Sequence, residues 1–525
     1  MEYDVILKNG RIVDGKGNPW YKGEIAIKDG RIEKVGSSIT GSSLEKIDVE
    51  NNIICPGFID AHTHSDIVFF VDPTAQSKVR QGVTTEITGN CGTSGGPYDE
   101  KVKAKPPKAF NFTPYWHTIE EYIDALSQQP KTVNIAPLVG HGTIRAHTVG
   151  FEDRESTEEE LSAMKKILED GLSAGAFGMS TGLYFAPGSF AREDELVELG
   201  KIVAKYGSTF TSHIRDEGIH TVGFVPSVKE IIDIGKKSGA SIQISHLKAF
   251  GPDVWGSSEE VLNIMEEARS NGIDVTCDQY PYVASGGGLP ADVLPLSFLK
   301  GKNIEEVQKE LKIPTVIEQL KDEVAYNIKL RGGAENQIIA EYPVDHSFEG
   351  RSLQDISDEL GKDPAEVAMM MISNYYNANW VCYSMSPEDV ENILKYPWTM
   401  TGSDGSSLSV EGPLSGGNPH PRNFGAFPHI LREYVKEKKI LKLEEAIRKM
   451  TSLPAQRFSI SDRGCLDEGK WADIIVINEK DIIDASFKDP KRYPQGIPYV
   501  MVNGEWVIKK NEFTGRLPGR LARMK

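Results

Sequence analysis

Two histidines separated by one residue, His62 and His64, end the apolar run IICPGFIDAHTHSD, with Asp66 just beyond them. On a strand, alternate side chains point the same way, so both imidazoles can face one ion. Taken alone, a His-x-His pair is equally a product of ordinary core packing. Three more residues of metal-ligand type end comparable runs: Cys91 in VTTEITGNCG, His213 in STFTSHIR and His246 in IQISHLK. Asp404 ends a further one, WTMTGSDG. Thiolate, imidazole and carboxylate are the donors that a borderline-soft ion such as Zn²⁺ prefers. Singly, each reads as an inert buried thiol or a satisfied core histidine. Six of them at the ends of five predicted strands are hard to assign to packing.

Positioning such a set at one point calls for β/α units. From about residue 53 to 450, β-rich apolar runs alternate with helical patterns such as TEEELSAMKKILEDGLSAG and SSEEVLNIMEEARSNG. That alternation predicts a parallel sheet. With VNIAPLVGHG, AFGMSTGL and DVTCDQYPY, the candidate strands number eight. The fourth to seventh recur at roughly 32-residue intervals, about one β/α unit each. Eight units predict an α/β fold of the distorted TIM (β/α)₈ type, whose site lies at the C-terminal ends of the strands. The ligand-type residues sit at those ends, which favours a closed barrel over a doubly wound sheet.

One interval breaks the rhythm, the 126 positions from Asp278 to Asp404. An insertion over about 285–345, beginning at SGGGLP, precedes the last barrel strand. It is a lid or substrate wall, or else a plain surface excursion. Residues 1–55 alternate in short strands closed by Gly or Asp-Gly, and 456–525 repeat the style with a hairpin signal at Asn503-Gly504. The two ends are expected to form one split β-sandwich domain around the barrel at 56–455.

Lys and Arg total 59 against 76 Asp and Glu, a net charge of −17. So acidic a chain is poorly suited to phosphate backbones or anionic lipid, so neither nucleic acid nor membrane is an expected partner. No apolar run is long enough to span a bilayer, and the N-terminus lacks a signal-peptide pattern. Five scattered cysteines without CxxC spacing suit a reducing, cytoplasmic setting. Oligomeric state is not legible.

The motifs PGFIDAHTHSD, GVTTEITGNCG, GLSAGAFGMSTGLYFAPG, TSHIRDEG, ISHLK and TMTGSDG together resemble the amidohydrolase superfamily, and within it the D-aminoacylase (N-acyl-D-amino-acid deacylase) family. The likeness runs nearly end to end, through WHTIEEYIDAL and GKWADIIVIN to TGRLPGR. It implies one tight zinc held by Cys91, His213 and His246, and a second, weaker position at His62 and His64 with Cys91 bridging. It implies Asp404 as general base and then acid in the hydrolysis of an N-acyl-D-amino acid. The D preference comes from the resemblance alone. Hydantoinase- and dihydroorotase-like relatives bridge two metals with a carbamylated lysine at the end of the fourth strand. AFGMSTGL offers no lysine, which counts against that cyclic-amide alternative. A non-catalytic scaffold of the same fold would be expected to have lost metal ligands, and this chain retains the set.

Contacts to the substrate are read more loosely. Lys248, two residues past His246, is the first choice for the α-carboxylate. Tyr184, Arg215, Tyr282 and Tyr280 lie near other strand ends, with a rim salt bridge or core aromatic as the competing reading of each. His141 in VGHGTIR is an oxyanion or acyl contact, or a packing residue. An acidic substrate side chain would want a second cation, and none can be assigned, so neutral apolar substrates are favoured.

Overall fold

The computed structural model describes residues 2–99, 112–522 and 524. Eight parallel strands close into a barrel: β1 (Phe58–Asp60), β2 (Val83–Thr88), β3 (Asn134–Pro137 and Val139–Gly140), β4 (Gly178–Gly182), β5 (Thr209–His213), β6 (Ser241–Ile244), β7 (Val275–Gln279) and β8 (Thr399–Thr401). The third strand is interrupted at Leu138, its first part pairing with β2 and its second with β4. Closure between β8 and β1 is made by the Ala61 amide on the Thr401 carbonyl (3.2 Å) and by a parallel bridge from Thr63 to Gly405. All eight runs expected from the sequence are therefore barrel strands.

The outer helices follow from their sequences. Glu158–Ala174 begins with a capping box, Thr157 and Glu160 exchanging side-chain and backbone bonds, and ends at Gly175 in the left-handed conformation. Its buried residues Met164, Leu168, Gly171 and Leu172 recur at helical spacing and face the barrel. At the closing seam, buried Lys78 donates to Asp60 (2.9 Å) and Ser403 (2.5 Å), while the Ser403 amide donates to the same Asp60 (2.8 Å). That network fixes β1 and β8 beside each other, and with them the segments that carry His62, His64 and Asp404.

The two chain ends share one nine-stranded sheet, as expected. The join is the antiparallel pair of Ile53–Pro56 with Ile474–Ile477, every residue of both strands buried. Asn503 and Gly504 both have positive φ (49° and 85°), as a two-residue type I′ hairpin turn requires.

The excursion between β7 and β8 is larger than the expected 285–345. It contains a three-stranded antiparallel sheet in the order Ser285–Gly288, Asn379–Cys382, Gln337–Glu341. The last strand in sequence is the central one, so the unit is not complete until the chain has passed Cys382. Its core, including Leu289, Val324, Ile328, Leu353, Ile372 and Trp380, is separate from that of the barrel.

Candidate metal centre and cleft

Cys91 follows β2, and its sulfur lies 3.3 Å from His62 Nε2, 3.2 Å from His246 Nε2 and 3.7 Å from His213 Nδ1. His64 Nε2 is 3.0 Å from Asp404 Oδ1, and His62 Nε2 is 3.5 Å from the same oxygen. Two donor sets result, one of Cys91, His213 and His246, the other of His62, His64, Cys91 and Asp404, each with ligand atoms within 4.8 Å of one another. Cys91 belongs to both. Burial disfavours its thiolate, but the adjacent His62 and His246 outweigh that and hold its pKa well below the usual thiol value. A deprotonated sulfur between imidazoles is the donor chemistry of a zinc site.

The backbone is bent to make this cluster. Cys91, His246 and Asp404 all have positive φ (52°, 35° and 51°), a region that costs a non-glycine residue about 1–3 kcal/mol. Each stands just past a strand end, where the turn swings its side chain into the barrel mouth. Two glycines admit the close approach. A Cβ on Gly402 would lie 2.6 Å from His62 Cβ and 2.8 Å from Asp278 Oδ1. One on Gly182 would lie 2.2 Å from the Cys91 carbonyl. The end of β4, without a lysine, is thus where the Cys91 loop packs.

A shell of carboxylates orients the imidazoles, as metal-ligating histidines require. Asp278 accepts from the His246 amide (2.9 Å) and Gln243 (2.7 Å), and its Oδ1 stands 3.3 Å from His62 Nδ1. Glu217 lies 2.9 Å from His246 Nδ1 and 3.9 Å from His213 Nε2, and accepts from Lys248 at 2.6 Å. Burial raises the carboxyl of Glu217, but Lys248 and the two histidines bring it down to about 2. Asp404 Oδ2 pairs with Arg422 at 2.8 Å. Burial opposes its charge, and Arg422 with the neighbouring histidines keeps it ionised, well below the ordinary carboxylate range. For His64, burial opposes protonation, yet bonds to Asp404 and Cys91 raise its pKa to about 9.

The residues expected to touch substrate have the following partners within the chain. Lys248 is 4% exposed, and its ammonium is committed to Glu217 and to His246 Nδ1 (2.8 Å). Arg215 faces Glu230 (2.8 Å) and the Ser189 carbonyl (2.9 Å) on the outer side of β5. His141 is sealed in a buried cluster with Glu195 (2.8 Å), which Arg145 also contacts. Tyr282 stacks on His429 and lies edge-on to His420, one layer behind the cleft. Tyr184 packs its ring along His213 and accepts from Arg331 of the excursion. These are short-range partnerships that strand-end position alone does not reveal. Glu217, Asp278 and Arg422 had not been singled out. The first two lie in the motifs TSHIRDEG and DVTCDQYPY and carry the same strand-end signal as the ligands. Arg422, in PHPRNFG, carries none.

A cleft of about 360 Å³ opens from His64 and Asp404 and is walled by Arg422, Gly286–Gly288, Trp380 and Glu341. The excursion thus supplies the far side of the site. Among the described residues, no helix is long and apolar enough to cross a membrane.

Barrel, split β domain and a Cys/His/Asp cluster at the strand ends define a metal-dependent hydrolase of the barrel class. The amidohydrolase family pattern matches residues 45–281 and 347–508, leaving out the first part of the excursion. A D-aminoacylase of Alcaligenes xylosoxydans xylosoxydans is 32% identical over 99% of this chain and 97% of its own length. The N-acyl-D-glutamate deacylase of Bordetella bronchiseptica, solved with zinc and a phosphonate mimic of the tetrahedral intermediate, superposes with a TM-score of 0.84 at 31% identity, over 100% of both chains. A D-aminoacylase structure described by its binuclear metal center, with one-metal activation and second-metal attenuation, gives 0.83 at 31%, over 99% of this chain and 100% of its own. An Arthrobacter aurescens L-hydantoinase reaches 0.56 at 17%, over 99% of this chain and 100% of its own, a likeness of fold alone. The chain belongs to the amidohydrolase family, in its D-aminoacylase branch.

Proposed function

We propose that this protein hydrolyses the amide bond of N-acyl-D-amino acids, releasing a carboxylate and a free D-amino acid. The observation that carries the reading is the shared Cys91 sulfur, 3.2–3.7 Å from three imidazoles and set beside the Asp404 carboxylate. Cys91, His213 and His246 would hold one zinc tightly. His62 and His64, with Cys91 in common, would make the second, weaker position. Bound zinc lowers the pKa of water from 15.7 to about 7 and polarises a carbonyl oxygen.

Asp404 takes the proton of the attacking water and delivers it to the departing nitrogen. Its Oδ2 is held by Arg422, which leaves Oδ1 directed at His64 and the reaction centre. Arg422 also offers the guanidinium of the cleft wall to the substrate's α-carboxylate, a charge-assisted pairing suited to its fork geometry. Lys248 holds Glu217 and His246 in place instead. The D preference rests on the relatives. The fourth-strand glycine that packs on Cys91 supports a linear amide over a cyclic one. The five cysteines, all free, support a cytoplasmic setting.

The test is amine release from N-acetyl-D-methionine and N-acetyl-L-methionine, side by side, with zinc-replete protein. Hydrolysis of the D form alone is expected. Release from the L form overturns the stereochemical assignment, and hydrolysis of hydantoins in place of both overturns the linear-amide reading.

A further inference from the structure

The cleft is charged at both ends, and with opposite signs. Arg422 lies against Gly286, its Nη2 3.4 Å from that residue's carbonyl. Two residues along the same strand, Gly288 pairs with Asn379, which pairs in turn with Glu341 on the third strand. Gly288, Asn379 and Glu341 therefore share one face, and all three line the cleft. Two strand spacings and two residues of rise set Glu341 roughly 12 Å from Gly286 along the sheet. With Arg422 and Glu341 both reaching into that gap, it matches an extended basic amino acid, carboxylate at one end and cation at the other. The edge strand beside Arg422 is glycine at 286, 287 and 288, and on the central strand between the two charges Asn379, Trp380 and Val381 complete the wall of the gap.

Glu341 has only neutral partners, the Asn379 amide at 3.3 Å and the Tyr375 hydroxyl at 3.4 Å, both long. Among the described residues no basic side chain pairs with it. Burial pushes its carboxyl up, and nearby Glu349 adds to that. A partly buried carboxylate in this state is stabilised by any cation that arrives beside it. We propose that Glu341 is the specificity residue of a side-chain subsite that takes a cationic group, so the substrates are N-acyl-D-amino acids with basic side chains, lysine, ornithine or arginine. The proposal rests on the hydrolysis reading above. It also gives an acidic substrate side chain a repulsive wall, in contrast to the glutamate deacylase relative.

The experiment compares kcat/KM for N-acetyl-D-lysine and N-acetyl-D-norleucine, which share a carbon chain and differ by the ammonium group, in the wild type, Glu341→Gln and Glu341→Lys. We expect the wild type to favour lysine by about tenfold or more, mainly through KM. Glu341→Gln should remove that preference while leaving norleucine within about threefold, and Glu341→Lys should turn it toward N-acetyl-D-glutamate. Equal handling of lysine and norleucine by the wild type, or an unchanged ratio in Glu341→Gln, overturns the subsite. If neither linear amide is hydrolysed, the amide-hydrolysis reading itself has failed. Calorimetric binding of free D-lysine and D-norleucine then decides the subsite: tighter D-lysine binding that Glu341→Gln abolishes sustains it, and equal binding overturns it.

Discussion

The barrel mouth and the wall facing it are built on opposite principles. At the mouth every imidazole has an acidic or cysteine neighbour, and Asp278 and Glu217 each serve more than one group. Three of the residues are held in left-handed backbone. The wall contributed by 285–382 has three successive glycines and, among the described residues, one carboxylate, Glu341, without a cation beside it. Reaction centres gain from donors fixed before the substrate arrives, because reorganisation then costs nothing during the chemical step. Substrate selection gains from room and from a partner set that only the right ligand completes. On the subsite proposed above, the barrel fixes what is done and the excursion fixes to what.

The sharpest way to break this division is Asp404→Asn. An amide of the same shape keeps the cluster's form but cannot carry the proton. We expect turnover to fall by about 10³-fold or more with the zinc of the Cys91, His213 and His246 set retained, read by steady-state kinetics beside metal analysis. Activity within tenfold of wild type would remove Asp404 from the proton path. Cys91→Ala attacks the donor common to both sets. Here the loss should appear in the metal itself, with substoichiometric zinc after dialysis and activity falling in parallel; full zinc retention would mean that the imidazoles suffice without the sulfur. Glu217→Gln keeps the shape but removes the charge that orients His246 and His213. A loss of about 10–100-fold in zinc affinity or activity is expected, and a wild-type zinc titration would reduce Glu217 to a counter-ion for Lys248.

Where sequence reasoning succeeded, a periodic or positional rule was at work. Strand ends of a barrel converge, so His62, His64, Cys91, His213, His246 and Asp404 could be gathered from five separate runs without any coordinates. The split sheet was legible for a similar reason, since alternation and turn residues recur at both chain ends. The extent of the excursion was not, because its central strand Asn379–Cys382 arrives after several helices and pairs with strands far earlier in the chain. Side-chain partnership was hidden in the same way. Lys248 and Arg215 are cations near strand ends by any sequence rule, yet Glu217 occupies one and Glu230 the other. Arg422, which faces both Asp404 and the cleft, sits in a loop that no periodicity singles out.

Arg215 gives the smallest effect and tests the boundary of the site. Its guanidinium makes three contacts of 2.8–3.1 Å with Glu230, on the helix Phe224–Ser238, and caps the Ser189 carbonyl. Both side chains keep partial solvent contact, 17% and 24%, so screening limits the pair to about 1 kcal/mol or less. Arg215→Gln should therefore leave kcat and KM within about twofold while lowering Tm by no more than about 2 °C, measured by steady-state kinetics and thermal denaturation. A tenfold rise in KM at constant kcat would place the guanidinium on the substrate after all, since removal of uniform binding has that signature. The site would then extend outward past β5, and the barrel would share substrate selection with Arg422 and the excursion.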